Sequence, residues 1–369
     1  MQIEVMRSEL QNALVTLTPI ASNKTCLPIL NQLLFYVNSD KVFITATNLE
    51  VGARVKISAI VTESGSFTLL ANKLSEIVSN LPNEIVVFTQ ADSIVTIKSG
   101  TASFKLQTLE VSDFPNFVDI DVNESKEFAT ETLLKAFNNV LYAASTDESR
   151  FNLNSLCFTN YNELPCAIAT DGHRLALQYF IDSPFLKGTL VPVQGCEIIK
   201  KWLSRVILTN PNVSLNYDTN NIIVATEDTM IVVRIIAGEY PNTTKVIPTN
   251  TPEAVILVNT EQFRAMTKRV SLVNDHAHKS ITLIVKDNVE LLAATPLGMA
   301  NDSIENMGKT GANFECLLNS KYLLEVINTI KSDTCEIQFM GEGKPLIFSL
   351  PRNTESSIDF FGMVMPMRK

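Results

Sequence analysis

The sequence predicts an α+β protein of three repeated domains, each with two helices packed on antiparallel sheets. Two short markers and the strands between them carry that reading. Ala13-Leu14, Ala136-Phe137 and Ala265-Met266 fall in the first helix of each repeat, and Glu76-Ile77-Val78, Glu197-Ile198-Ile199 and Glu325-Val326-Ile327 in the second. Both recur about every 125 residues, and self-similarity at a fixed period decides architecture before any single residue does. The expected domains are residues 1–124, 125–250 and 251–369. Their borders lie at the polar Asp119-Ile120-Asp121-Val122-Asn123-Glu124 and the proline-marked Pro248-Thr249-Asn250-Thr251-Pro252, which read as short linkers.

In the first repeat, residues 7–18 place Leu10, Ala13, Leu14 and Leu17 at helical spacing, and Pro19 closes the segment. Stretches 33–37, 41–45, 51–57 and 66–69 are rich in β-branched and aromatic residues and bounded by turn residues, so they read as a meander. A second helix over 73–80 stops before Pro82, and strands follow at 85–89, 94–98 and 102–107. The unit is written α-βββ-α-βββ. In the second repeat, Ala167-Ile168-Ala169 and Leu175-Ala176-Leu177 flank Thr170-Asp171-Gly172-His173-Arg174. Asp-Gly between apolar runs marks a hairpin, because glycine accepts the positive φ of a tight turn.

Hydrophobic residues make up 46% of the chain and charged residues 19%, an ordinary globular balance. No apolar run is long enough to span a membrane and the start lacks a secretory pattern, so a cytoplasmic protein is expected. Cys26, Cys157, Cys166, Cys196, Cys316 and Cys335 are scattered without a C-x-x-C pair and are expected as buried, reduced thiols. The net charge of -9 argues against phosphate binding unless the basic residues gather on one face. Arg7, Lys24, Lys73, Lys135, Arg150, Lys200, Lys201, Arg205, Arg264, Lys268, Arg269, Lys321 and Lys331 lie in the predicted helices and their flanks. Many acids lie in strand turns instead. A basic helical face follows, imperfectly, since Glu76, Glu197 and Glu325 are helical too.

Nothing in the sequence is built for chemistry. The histidines are His173, His276 and His278, and no nucleophile motif accompanies them. Asp275-His276-Ala277-His278 lacks further ligands at metal-binding spacing, and neither a P-loop nor a G-x-G-x-x-G occurs. No catalytic residue, metal or cofactor is expected.

Leu27-Pro28-Ile29-Leu30, Asp113-Phe114-Pro115, Ala169-Thr170-Asp171-Gly172-His173-Arg174-Leu175, Gly238-Glu239-Tyr240-Pro241 and Val364-Met365-Pro366-Met367-Arg368 together resemble the bacterial DNA polymerase III β subunits, the sliding clamps, over the whole chain. The resemblance implies a DNA clamp fold: a head-to-tail homodimeric ring with helices around duplex DNA and sheets outside. Its implied partners are sequence-independent duplex DNA, the polymerase III catalytic subunit, the clamp loader, and other polymerases and repair proteins that bring short linear motifs. It implies a peptide-binding pocket of Leu153, Thr170, His173, Arg174, Leu175, Pro241, Val246, Met363, Met365, Pro366, Met367 and Arg368, with Asn319 and Tyr322 bordering a second subsite. It places Lys24, Lys73, Arg150, Lys200, Lys201 and Arg205 toward DNA. Asn152 stands where the family commonly has an aromatic residue, Thr244 and Lys245 replace more basic usage, and Lys369 adds a terminal charge. Two other readings remain open: a protein-binding repeat scaffold that does not enclose DNA, and a hydrolase using Asp171 and His173.

Overall fold

Three times along the chain a strand leads into a helix, a meander follows, and a second helix precedes three more strands. The structure, a computed structural model, describes residues 1–21, 26–38, 41–117, 125–275, 279–351 and 359–368. In the first repeat, strand Gln2–Met6 enters helix α1 (Arg7–Ala21), and strands Gln32–Val37, Lys41–Thr47, Val51–Glu63 and Gly65–Leu70 lead to α2 (Ala71–Ser79) and strands Ile85–Ala91, Ile94–Ser99 and Ala102–Gln107. The second runs from Lys126–Ala129 through α3 (Thr130–Val140), strands Ser155–Tyr161, Leu164–Thr170, Arg174–Tyr179 and Thr189–Pro192, and α4 (Val193–Val206) to Asn212–Tyr217, Asn221–Ala225 and Thr229–Arg234. The third begins at Ala254–Asn259, passes α5 (Thr260–Val270) and α6 (Ser320–Thr329), and ends on Thr334–Phe339, Leu346–Ser349 and Phe360–Val364.

Each repeat therefore carries a leading strand that the α-βββ-α-βββ reading omits, while the four meander stretches read at 33–37, 41–45, 51–57 and 66–69 are all strands, one more than that shorthand writes. Gln2–Met6 buries only Ile3 and Val5, too short an alternation to stand out. Pro19 does not close α1. It sits in the last turn, and the buried Ile20 and Ala21 hold the helix on its sheet beyond it. Cys26 is exposed, whereas the other five cysteines are buried. No helix among the described residues is long and apolar enough to cross a membrane.

The contacts gather into two compact units, residues 1–134 with 194–235, and residues 135–193 with 236–369, so the central repeat contributes to both. Within the first unit, Val51–Glu63 is long enough to pair with Gln2–Met6 near its end and with Thr229–Arg234 near its start, joining strands of two repeats in one twelve-stranded sheet. Within the second, Arg174–Tyr179 pairs with Phe360–Val364 in a nine-stranded sheet. A separate four-stranded sheet runs from Gly298–Glu305 through Asn288–Thr295 and Ser280–Val285 to Phe314–Asn319.

The helices cover these sheets through apolar stripes, such as Leu74, Ile77 and Val78 of α2 and Phe263, Met266 and Val270 of α5. Aromatic packing fills the cores: Phe35 stacks on Phe67 at 4.7 Å in the first unit, and Phe158 meets Phe185 edge-on at 4.9 Å in the second. Gly362 lies inside strand Phe360–Val364 because a side chain does not fit there. A Cβ would stand 2.3 Å from Val326 Cγ2 of α6 and 2.7 Å from the Tyr142 hydroxyl.

Gly362→Ala is expected to destabilise the protein by about 1–3 kcal/mol through overpacking, read from urea midpoints, and Val326→Ala in the same chain should return part of that loss. Burial pushes the Cys157, Cys166 and Cys316 thiols up to about 12. At pH 8 a thiol-specific disulfide reagent should label Cys26 rapidly in the native protein and the other five cysteines only after unfolding.

Candidate partner pocket and helix-borne cations

The hairpin formed by Leu164–Thr170 and Arg174–Tyr179 organises the pocket. Thr170 pairs with Leu175, and Gly172 takes φ +93° in the turn between them. Asp171 closes the turn on itself, its Oδ1 accepting the His173 and Arg174 amides at 2.8 and 3.1 Å. Thr170 Oγ1 accepts the Gly172 amide at 3.1 Å and donates to the Arg174 carbonyl. The short polar side chains of the tip, Thr170 and Asp171, are thus both engaged in hydrogen bonds within the turn.

Arg174 turns inward and is only 5% exposed. Its Nε donates to Asp171 Oδ2 at 3.0 Å and its Nη1 pairs with Glu325 of α6. The guanidinium lies 4.4 Å over the Tyr322 ring, with the Tyr142 ring 5.5 Å away on another side. Desolvation raises the Tyr142 phenol far above its ordinary pKa, outweighing the opposing charge of Arg174. The phenol therefore stays neutral in this cluster.

Over this floor opens a pocket of about 330 Å³, large enough for apolar side chains of a ligand. Leu153, Thr170, Arg174, Leu175, Pro241, Val246, Met363 and Met365 line it, as the sequence reading grouped them. The C-terminal tail reaches it by continuing the sheet: Met365 donates its amide to the His173 carbonyl at 2.8 Å, and Met367 donates to the Leu317 carbonyl at 2.7 Å. The far wall is tied down as well, because the Thr170 amide donates to the hydroxyl of the partly buried Tyr240 at 2.8 Å and Asn152 Nδ2 donates to the Glu239 carbonyl at 3.0 Å.

The remaining residues of that group lie outside this lining. His173 stacks against Tyr322 with ring centroids 6.4 Å apart, and Asn319 caps α6 by accepting the Lys321 and Tyr322 amides. Pro366, Met367 and Arg368 follow the lining residues along the tail, with Met367 exposed. Sequence reasoning missed Gly172, Asn242 and Thr243 in the lining. Continuity with Pro241 was the available signal for the last two.

Arg150 also lines the pocket, having been grouped with the DNA-facing residues. The Leu153 amide donates to the Arg150 carbonyl in a turn that brings the arginine beside Leu153, and Arg150 Nη1 donates to the Asp171 carbonyl at 2.9 Å.

The other candidate cations are distributed over helices. Lys73 pairs with Glu76 at 2.6 Å on α2. On α4, Lys201 is exposed, Lys200 is half-buried with its pKa lowered by desolvation, and Arg205 donates to Thr16 Oγ1 of α1 at 2.8 Å. Lys24, His276 and His278 lie outside the described residues. Among the described residues no cluster of His, Cys, Asp and Glu could hold a metal. Asp171 and His173 form no catalytic pair, since the Asp171 oxygens bind backbone amides and Arg174 while the His173 ring faces Tyr322.

Family models described as the N-terminal, central and C-terminal domains of the DNA polymerase III beta subunit match residues 1–119, 127–242 and 244–368. The chain is 27% identical over 374 residues to the beta sliding clamp of Haemophilus influenzae, with all of both chains covered. A sliding clamp from Bartonella birtlesii bound to griselimycin superposes with a TM-score of 0.92 at 24% identity, covering 100% of each chain. The DNA polymerase sliding clamp of Bacillus subtilis superposes at 0.90 and 22% identity, covering all of this chain and 99% of its own. The three successive domain matches follow the three structural repeats, and the chain belongs to the DNA polymerase III beta subunit family, the beta sliding clamps, as a non-catalytic processivity factor of the polymerase.

Proposed function

We propose that two copies of this chain close head to tail into a ring around duplex DNA in the cytoplasm, and that the pocket beneath the hairpin tethers polymerase III, the clamp loader and other polymerases and repair proteins by short peptide segments. The observation that carries the tethering is the pocket itself. Leu153, Leu175, Val246, Met363 and Met365 give it apolar walls, and methionines repack around varied anchors while a few polar groups fix orientation. The fixed hairpin and the tied far wall leave little to be ordered when a ligand enters.

A head-to-tail ring needs two different open edges on each copy. Strand Ala102–Gln107 ends the twelve-stranded sheet and exposes Phe104, and strand Gly298–Glu305 ends the four-stranded sheet and exposes Met299, with Leu272 82% exposed. Unpaired edges beside apolar side chains support pairing of one copy's first edge with its partner's second. Lys73, Lys200, Lys201 and Arg205 are proposed, with Lys24, as the cations facing DNA. The domains proposed to build each half of the ring are residues 1–124, 125–250 and 251–369.

After loading with a matching clamp loader and ATP, the protein should remain on circular duplex at high salt and slide off linear duplex. Phe104→Arg together with Leu272→Asp should give monomers by sedimentation and abolish retention on circles. Equal loss from both DNA forms as salt rises would favour ordinary phosphate binding or a scaffold.

The pocket is tested separately. Val246→Asp with Met365→Ala should lower griselimycin affinity at least tenfold by calorimetry while leaving the dimer and retention on circles intact. An unchanged affinity would move the tethering site elsewhere.

A further inference from the structure

Methionines crowd the end of the chain, where Met363, Met365 and Met367 stand at alternate positions. Alternate residues of an extended strand share a face, and Met363 and Met365 both line the pocket. Their exposure is graded: Met363 is 3% exposed, Met365 is half-buried, and Met367, farther along the tail, is 40% exposed. The amide bond from Met365 to the His173 carbonyl holds its backbone at the cavity. Two other sulfurs lie behind this wall, since Cys157 and Cys166 belong to the same buried cluster as Leu175 and Met363. Burial pushes both thiols up to about 12, so at neutral pH they keep their protons, and it is the thiolate that reacts with peroxide. A thioether needs no ionisation, only access. Among the described residues that line the pocket, the sulfur an oxidant reaches is therefore that of Met365.

From this we infer that Met365 is a reversible oxidation site and that its sulfoxide weakens the pocket's hold on apolar ligands. The inference rests on the peptide-pocket reading and adds regulation to it. The oxidant is hydrogen peroxide. A sulfur lone pair takes one peroxide oxygen as the O–O bond breaks, and the departing hydroxide collects the proton of the transferred hydroxyl and leaves as water. Sulfur gives up two electrons and peroxide accepts them. A methionine sulfoxide reductase with a dithiol reverses the step, releasing water and a disulfide. The product sets a polar S=O group in a wall shared with Leu153, Leu175 and Val246. An apolar ligand that covers this group strips its water and returns no hydrogen bond, so the penalty falls on the complex and not on the free protein.

The protein is treated with hydrogen peroxide, its oxidised methionines are mapped by mass spectrometry, and griselimycin is titrated calorimetrically before and after. Oxygen on Met365 should lower the affinity about tenfold, the size of one polar group covered without a partner, and methionine sulfoxide reductase with dithiothreitol should restore it. Met6, Met299 and Met307 are exposed too and are open to the same reagent, so single variants separate the sites. Met365→Leu lacks the sulfur, and peroxide should leave its affinity where it started. Met367→Leu should still show the tenfold loss. An affinity that survives full oxidation of Met365, or an equal loss in Met365→Leu, overturns the inference while the pocket stands. A Met365 that stays reduced while Met367 is oxidised overturns it as well. If griselimycin fails to bind the untreated protein, the pocket reading itself falls and takes the inference with it.

Discussion

The buried guanidinium of Arg174 is the constraint on which the second compact unit depends. It lies at the start of a central strand, where it pairs with Val364 in the C-terminal strand and its carbonyl accepts the Thr170 hydroxyl, and its charge is met by Asp171 and Glu325. Taking the Arg174 guanidinium and most of the Asp171 carboxylate out of water is costly, with Glu325 partly exposed beside them, and replacing such a cluster by packed apolar residues is often neutral or stabilising. Removing one member is different, since it strands a buried charge at a cost of about 3–5 kcal/mol. The cluster therefore adds little net stability for its size. It does require the hairpin, α6, Tyr142 and the tail to meet in one arrangement, and that arrangement is the pocket floor.

The same economy appears in how the repeats join. Val51–Glu63 and Arg174–Tyr179 each bond to strands of two repeats, so neither sheet ends where a repeat ends. Backbone ladders leave fewer unpaired groups at a junction than abutting domain surfaces would, and they resist shear along the sheet. The cost falls on the outermost strands. Among the described residues, Ala102–Gln107 and Gly298–Glu305 each pair with a neighbour on one side only, and an exposed edge invites a partner. A chain that has sealed its internal boundaries with strands has thereby left the same chemistry at its ends.

Much of this was legible in the residues. The recurring helical markers located all three helix pairs, because amphipathic spacing survives whatever the sheets do, and Asp171-Gly172 marked the hairpin because few residues accept its backbone. Gln2–Met6 was too short to register, and Pro19 was overruled by the burial of Ile20 and Ala21. Within the pocket, the motif residues of the hairpin and tail carried signal, whereas Asn242 and Thr243 offered only their continuity with Pro241, since a polar pair after proline looks like any turn. Arg150 shows the limit of assigning charge by segment: a single turn redirects it from a helical flank to the pocket wall.

Charge has to be counted by what remains available, and that bears on how an acidic chain of net charge -9 can ride on DNA. Several helix-borne cations are already engaged: Lys73 by Glu76, Lys135 by Asp359 and Arg264 by Glu261, while Arg205 donates to Thr16. Lys200 is partly desolvated, which weakens its hold on a proton as well as its access to a phosphate. Among the described residues, what is left on the helices is a sparse set led by the exposed Lys201. Each phosphate contact releases counterions and deepens the well that a moving protein must leave, so a dense basic face would trade mobility for affinity. A ring needs no such affinity, because closure supplies retention. Sparse free cations are then what enclosure permits, and they would be a defect in a protein that held DNA by charge alone.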